Sequence, residues 1–84
     1  MAPLLEIRWE RQKIAKQLRT YSPEIRKAFE RALDKIRRTP RQKPLKGHLK
    51  GLYSVRANRS YRIVYTYDKT SVVVREIGDH KDVY

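Results

Sequence analysis

The sequence predicts an α+β fold, in which two N-terminal helices pack on one face of a small, antiparallel-rich sheet in the order β-α-α-β-β-β. Three patterns predict it: a short alternating run before residue 10, helical spacing with start and stop signals over residues 14–40, and alternation of apolar and polar residues after residue 52. Helical and strand patterns that occupy separate parts of a chain are typical of the α+β class. With 84 residues, the chain is predicted to form one domain, residues 1–84.

The first part of the chain is predicted to form a strand and a short helix. Leu5, Ile7 and Trp9 alternate with charged residues, which predicts a strand with one buried face. Ile14 and Leu18 then lie one helical turn apart among basic residues, which predicts an amphipathic helix.

The second helix is marked at both ends. Ser22 is a suitable N-cap, Pro23 suits the first helical position, and Glu24 places a carboxylate in the first turn. Thr39-Pro40 ends the helix, because a residue before proline is disfavoured in helical conformation. The predicted apolar stripe consists of Ile25, Phe29, Ala32, Leu33 and Ile36.

Two strands with strict alternation, residues 53–57 and 61–65, are predicted to form a hairpin closed by the three-residue loop 58–60. In that register Arg56 lies directly opposite Arg62, on the face away from the core. Two like charges repel there, and a phosphate between them would offset the repulsion because arginine binds phosphate through paired donors. The core-facing positions are Tyr53, Val55, Ala57, Tyr61, Ile63 and Tyr65.

The remaining segments are a connector and a last strand. Residues 41–51 contain one proline, two glycines and four basic side chains, which predicts a basic connector without regular structure. A tight turn at Asp68-Lys69 is predicted to lead into a strand at 71–77, with Arg75 near Arg62 on the open face.

The charge of the chain favours a polyanionic partner. Lysine and arginine number 21 against 9 aspartates and glutamates, a formal net charge of +12. Such an excess on a small surface attracts nucleic acid or an acidic protein, and composition does not separate RNA from DNA. The absence of cysteine excludes disulfides and thiolate metal sites, and the two histidines have no carboxylates at ligand spacing, so neither a metal nor a cofactor is predicted.

No targeting signal is evident in the sequence. Charge interrupts the N-terminal residues before an apolar run reaches signal-peptide length, and no stretch has the roughly 18 apolar residues of a membrane span. A cytoplasmic protein without a membrane partner is therefore expected.

The chain resembles the RelE/ParE superfamily of type II toxins. The resemblance rests on the order of elements, the basic connector at 45–52, the segments 53–56 and 61–65, and the tail 78–84, whose histidine and later aromatic look most like the YafQ-type branch. It implies a toxin held by an acidic antitoxin, with operator DNA bound only through that complex. RelE-like members cut messenger RNA in the ribosomal A site, whereas ParE-like members inhibit DNA gyrase without nuclease activity.

The resemblance also implies roles for individual residues. Arg56 and Arg62 would hold the scissile phosphate, His80 would protonate the leaving oxygen, and Tyr84 would stack on a base or take part in proton transfer. A lysine of the RelE type, two residues before the Arg56 position, is Ser54 here. Further contacts to RNA are expected from Lys46, Lys50, Arg75 and Lys81.

The chemistry implied by this resemblance needs no metal, because the 2′-hydroxyl of RNA attacks the adjacent phosphorus. Arginines supply fixed donors for the phosphorane, and histidine has an ordinary pKa of roughly 6.5, which suits proton transfer near neutral pH. The residues do not identify a general base. Two alternatives stay open: a ParE-type gyrase inhibitor, and a non-catalytic RNA- or ribosome-binding protein, which would need only the charge.

Overall fold

Two helices and five strands follow one another in the part of the chain that the computed structural model describes, residues 4–47 and 50–79. The predicted class and the order of the main elements are confirmed. The elements are β1 (Glu6–Trp9), α1 (Gln12–Arg19), α2 (Pro23–Arg38), β2 (Lys43–Pro44), β3 (Tyr53–Arg56), β4 (Tyr61–Tyr67) and β5 (Ser71–Asp79). Neither helix is long and apolar enough to cross a membrane.

All five strands form one sheet in the order β1-β5-β4-β3-β2. Strand β1 runs parallel to β5, and the other neighbours are antiparallel, as expected for an antiparallel-rich sheet. The parallel pairing is possible because α1, α2 and the following strands make the long connection that parallel strands require.

The core lies between the two helices and one face of the sheet. Apolar side chains of α2 meet those of the central strands, because the helix stripe and the alternating strand positions both face inward. The side chains buried most completely are Phe29, Ile36, Ile63, Tyr65, Val72 and Val74. The predicted helix stripe is therefore confirmed as the packing surface, with Ile25 and Leu33 partly buried at its margins.

Helix α2 has the predicted ends and is fastened to β1. The Ser22 hydroxyl accepts a hydrogen bond from the Ile25 N–H at 3.4 Å, and Pro23 is the first helical residue. Near the other end, the Arg37 Nε–H donates to the Leu5 carbonyl at 2.9 Å, and the Leu5 N–H donates to the Arg37 carbonyl at 3.2 Å. This reciprocal pair positions β1 at the edge of the sheet.

The prediction of an irregular connector is wrong for Lys43–Pro44, which forms the short edge strand β2. Lys43 pairs with Ser54 and Pro44 pairs with Tyr53 on β3. Proline is tolerated there because an edge strand needs hydrogen bonds on one side alone. A strand of two residues is too short to show alternation of apolar and polar side chains.

The turn before β5 is shifted by one residue from its predicted place. The Asp68 N–H donates to the Ser71 carbonyl at 2.9 Å, so Lys69 and Thr70 are the central residues. The Asp68 carboxylate accepts hydrogen bonds from the N–H groups of Thr70, at 2.8 Å, and Ser71, at 2.9 Å, and these bonds lower the pKa of Asp68.

Strand β5 is longer than predicted and contains a β-bulge. It continues to Asp79, two residues beyond the expected end. Val64 pairs with Glu76 whereas the next residue, Tyr65, pairs with Val74, so Arg75 is the extra residue on β5. A bulge interrupts the alternation of side chains between the two faces.

We expect Tyr65→Phe to lower the free energy of unfolding by about 1–2 kcal/mol, because it removes the donor of a partly buried hydrogen bond. The Tyr65 hydroxyl donates to the Pro40 carbonyl at 2.5 Å, and burial raises the pKa of this tyrosine. Urea denaturation measures the loss. Tyr21→Phe is the control, because its hydroxyl accepts an exposed hydrogen bond from Gln17 and its removal should change stability by less than about 0.5 kcal/mol. Equal effects of the two substitutions would contradict the prediction.

Candidate phosphate-binding site

Two arginines lie side by side on adjacent strands, as the sequence predicts. Arg56 on β3 and Arg62 on β4 are directly paired, and Arg62 pairs on its other side with Gly78 on β5. Paired residues project from the same face of a sheet, with Cβ atoms roughly 5 Å apart. The two guanidinium groups can therefore reach a single phosphate.

The loop between β3 and β4 fixes this register. The Asn58 side-chain oxygen accepts hydrogen bonds from the N–H groups of Ser60, at 2.9 Å, and Tyr61, at 3.0 Å. The Ala57 N–H donates to the Tyr61 carbonyl at 2.9 Å. Because Arg56 and Arg62 flank this closed loop, their backbone positions are held rigidly relative to each other.

The sheet face that carries the arginines is less open than the sequence suggested. Arg56 is exposed and Arg62 is half-buried, but the next pair along the strands, Ser54 and Val64, is 2% and 4% exposed. Within the described residues the Ser54 hydroxyl oxygen has no hydrogen-bond partner. On β3 and β4, the accessible part of this face is therefore the end of the strands near the 57–60 loop.

Gly78 is a buried glycine beside Arg62. It pairs with Arg62 and has a φ of 147°, in the region that favours glycine. Because glycine has no side chain, β5 contributes none at the position paired with Arg62. Sequence analysis did not single out this residue, although a glycine within a strand is a recognised sign of close approach by a ligand or backbone.

Arg75 is directed elsewhere than predicted. Its Nε lies 3.3 Å from the Glu10 Oε2, at the end of β1. Arg62 is paired with Gly78 rather than with Arg75. Arg75 lies three residues before Gly78 on β5, so their backbones are about 10 Å apart at the usual strand rise. The expected position near Arg62 is wrong because the bulge changes the register; a role of Arg75 in binding RNA stays a prediction.

Glu76 is a functional candidate that sequence analysis missed. It pairs with Val64, so it lies on the same face as Arg62, one position along the strands. Alternation continued from Val72 and Val74 would have placed Glu76 in the core. A charged residue where continued alternation would require an apolar one was the available signal of a bulge.

A cleft of about 380 Å³ lies between α1 and the part of β5 that extends beyond β1. Gln17 of α1 spans it, since its Nε2 donates to the Ile77 carbonyl at 3.2 Å and to the Tyr21 hydroxyl at 2.8 Å. Basic and acidic side chains also line it, among them Arg11, Lys13, Arg75, Glu76 and Asp79.

The other predicted site residues are divided between described and undescribed parts. Lys46 and Lys50 are exposed in the connector between β2 and β3. His80, Lys81 and Tyr84 lie outside the described residues. Over residues 4–47 and 50–79, no three histidine, cysteine, aspartate or glutamate side chains are grouped so that they could hold a metal ion.

Comparison with known families gives a match over nearly the whole sequence. The family model described as the ParE toxin of type II toxin-antitoxin system, parDE, matches residues 7–84. No curated protein sequence matches the chain significantly.

Solved toxin structures share this fold. A chain of the RelBE2 toxin–antitoxin complex from Mycobacterium tuberculosis is 28% identical with a TM-score of 0.76, over 93% of this chain and 100% of that chain. A chain of the YoeB–YefM complex from Staphylococcus aureus is 26% identical with a TM-score of 0.72, over 93% and 99%. A mutant of E. coli toxin RelE in the free state is 22% identical with a TM-score of 0.76, over 95% of this chain and 87% of that chain. At this identity the similarity is one of fold.

Proposed function

The chain belongs to the ParE toxin family of type II toxin–antitoxin systems, and we propose that within this family it is a ribosome-dependent endoribonuclease that cuts messenger RNA in the A site. The observation that carries the proposal is the direct pairing of Arg56 with Arg62 on a rigid hairpin. A substrate on the ribosome would also place the protein in the cytoplasm.

The partner of such a toxin is an antitoxin, and two similar structures are toxin–antitoxin complexes. We propose that the antitoxin of this chain is acidic, because the formal net charge of +12 would attract and be neutralised by negative charge. Operator DNA would be bound through the complex rather than by the toxin alone.

The paired arginines suit a reaction in which negative charge accumulates on phosphorus. Arg56 and Arg62 would hold the non-bridging oxygens of the scissile phosphate. As the 2′-oxygen attacks, the phosphorane acquires a further negative charge. Donors already aimed at that position stabilise the transition state more than the ground state.

The proposed reaction leaves a 2′,3′-cyclic phosphate and a 5′-hydroxyl. The bond from phosphorus to the 5′-oxygen breaks, and His80 would give that oxygen its proton. Tyr84 would stack on a neighbouring base, a common way in which proteins hold unpaired RNA. Lys46, Lys50, Arg75 and Lys81 would contact phosphates outside the reacting one, so binding should weaken as salt is raised.

A second candidate is a ParE-type inhibitor of DNA gyrase without nuclease activity. It is favoured by the description of the matching family and by Ser54, which stands where the RelE type has a lysine. The basic surface would then contact gyrase or its DNA rather than messenger RNA.

Two reconstituted assays separate these candidates. Purified toxin is added to ribosomes stalled with a defined A-site codon, and the RNA ends are mapped; in parallel it is added to gyrase with relaxed plasmid. New 5′-hydroxyl ends on the message with normal supercoiling would support the nuclease, and a message with a 2′-deoxy substitution at the cut site should stay intact. Intact RNA with blocked supercoiling would replace the proposal with the gyrase inhibitor. Tight ribosome binding without new ends or gyrase inhibition would leave a non-catalytic RNA-binding protein.

We expect the effects of Arg56→Ala and Arg62→Ala on cleavage to be non-additive, because both side chains would hold one phosphate. Single-turnover rates of the two single variants and the double variant measure the coupling. The double variant should lose less activity than the product of the two single losses. Independent, multiplicative losses would mean that the arginines contact different groups.

A further inference from the structure

We propose that Glu76 is the general base that removes the proton from the attacking 2′-hydroxyl. This inference rests on the proposed ribonuclease function and supplies the one role in that chemistry that the sequence left unassigned. It is carried by the position of Glu76 relative to Arg62, which the β-bulge creates.

The bulge places Glu76 on the face of the sheet that carries Arg56 and Arg62. Without the extra residue Arg75, alternation from Val74 would turn Glu76 into the core. With it, Glu76 pairs with Val64 while Gly78 pairs with Arg62. Glu76 and Arg62 are thus diagonal neighbours on adjacent strands.

Diagonal neighbours are close enough to act on one nucleotide. Their Cα atoms are roughly 7–8 Å apart, within reach of long side chains. The 2′-hydroxyl lies on the ribose directly attached to the scissile phosphate. For Glu76 to act as the base, RNA whose phosphate is held by Arg62 would have this ribose beside Glu76. Gly78 adds no side chain that would separate Glu76 from this ribose.

The Glu76 carboxylate is available for this task. It is exposed, and within the described residues no hydrogen bond or ion pair engages it. Its basic neighbour Arg75 is instead held by Glu10 at 3.3 Å. An uncommitted carboxylate can accept a proton, whereas one paired with arginine is a weaker base.

Other described carboxylates are less well placed. Glu10 is engaged by Arg75, and Asp79 pairs with Tyr61, whose side chain packs against the core. Glu76 is therefore the carboxylate that strand pairing brings closest to Arg62 on this face. Charged groups that surround it are Arg62 on β4, Arg75 and Asp79 on β5, Glu10 after β1, and Arg11 and Lys13 beside the cleft.

The step balances as a proton transfer coupled to substitution at phosphorus. The Glu76 carboxylate takes the 2′-hydroxyl proton, the 2′-oxygen forms a bond to phosphorus, and the bond from phosphorus to the 5′-oxygen breaks. The departing oxygen receives a proton from the general acid, for which His80 is proposed. Water then returns the two residues to their starting protonation states.

The first experiment compares wild type, Glu76→Gln and Glu76→Asp in single-turnover cleavage of ribosome-bound message. Glu76→Gln should reduce the rate about a hundredfold or more, because general-base catalysis contributes about that much, while ribosome affinity is unchanged. Any decline of the wild-type rate toward acid pH that depends on this carboxylate should be absent from the glutamine variant. Glu30→Gln on the exposed side of α2 is the matched control and should cleave normally.

The second experiment distinguishes a base from an acid. A message with sulfur in place of the 5′-bridging oxygen has a leaving group that needs no proton. His80→Ala should recover activity on this message, whereas Glu76→Gln should stay slow because the 2′-hydroxyl still has to be deprotonated.

The outcomes separate this inference from the function on which it rests. If wild type cuts the message and Glu76→Gln cuts it within threefold of wild type, the general-base assignment fails and the nuclease stands. Recovery of Glu76→Gln on the sulfur-containing message, or an unchanged acid dependence in that variant, would also overturn it. If wild type leaves the message intact, both the nuclease and its base are wrong.

Discussion

Arg62→Ala is expected to abolish growth arrest by the expressed toxin and to reduce message cleavage by about a hundredfold. Removing one charged contact that strengthens in the transition state costs on the order of 3 kcal/mol, which corresponds to that factor in rate. Arg62 should show this effect strongly because it lies on the central strand of the three, paired with Arg56 on one side and Gly78 on the other. Colony formation under an inducible promoter and single-turnover cleavage measure the two effects.

Two further variants make the result interpretable. Arg62→Lys keeps the charge but loses the paired donors, so it should recover part of the activity if geometry as well as charge matters. Arg31→Ala removes an exposed arginine from α2 and should stay toxic. A folded Arg62→Ala protein that still arrests growth would rule out Arg62 as the phosphate contact.

The second large effect is expected for His80→Ala. If His80 is the general acid, its loss should slow single-turnover cleavage by about a hundredfold or more while ribosome binding persists, because the proton is required as the 5′-oxygen departs. Wild-type activity should fall as pH rises through the range in which histidine loses its proton, and this decline should be absent from the variant.

Binding and chemistry are measured separately in this test. Sedimentation with ribosomes gives affinity, and quench-flow sampling at saturating ribosome concentration gives the rate. If His80→Ala loses affinity and cleavage in equal measure, His80 contributes to binding. If His80→Ala still loses activity as pH rises, the proton given to the 5′-oxygen comes from another group.

The sequence predicts most accurately the parts of this fold that local chemistry determines. Ser22 and Pro23 mark a helix start through hydrogen bonding and restricted φ, and a three-residue loop leaves one register for the hairpin that pairs Arg56 with Arg62. These features depend on residues that are close together in the chain.

The incorrect predictions concern features that depend on distant residues. Strand β2 exists because Lys43 and Pro44 meet β3, and a two-residue strand has no periodicity of its own. The bulge at Arg75 depends on how β5 fits β4, so extrapolated alternation wrongly placed Arg75 near Arg62. The half of the candidate site on β3 and β4 could thus be predicted, whereas the contribution of β5 could not.

The parallel pairing of β1 with β5 has a consequence for how the molecule is made. Glu6 pairs with Ser71, so a strand synthesised early has no partner until most of the polypeptide has been translated. Contacts of such large sequence separation form late and slowly, because closing the intervening loop costs entropy before any contact repays it. The same late strand supplies Glu76 and Gly78 beside Arg62. A nascent chain that ends before β5 thus has neither a complete sheet nor a complete candidate site. The addition of β5 completes both.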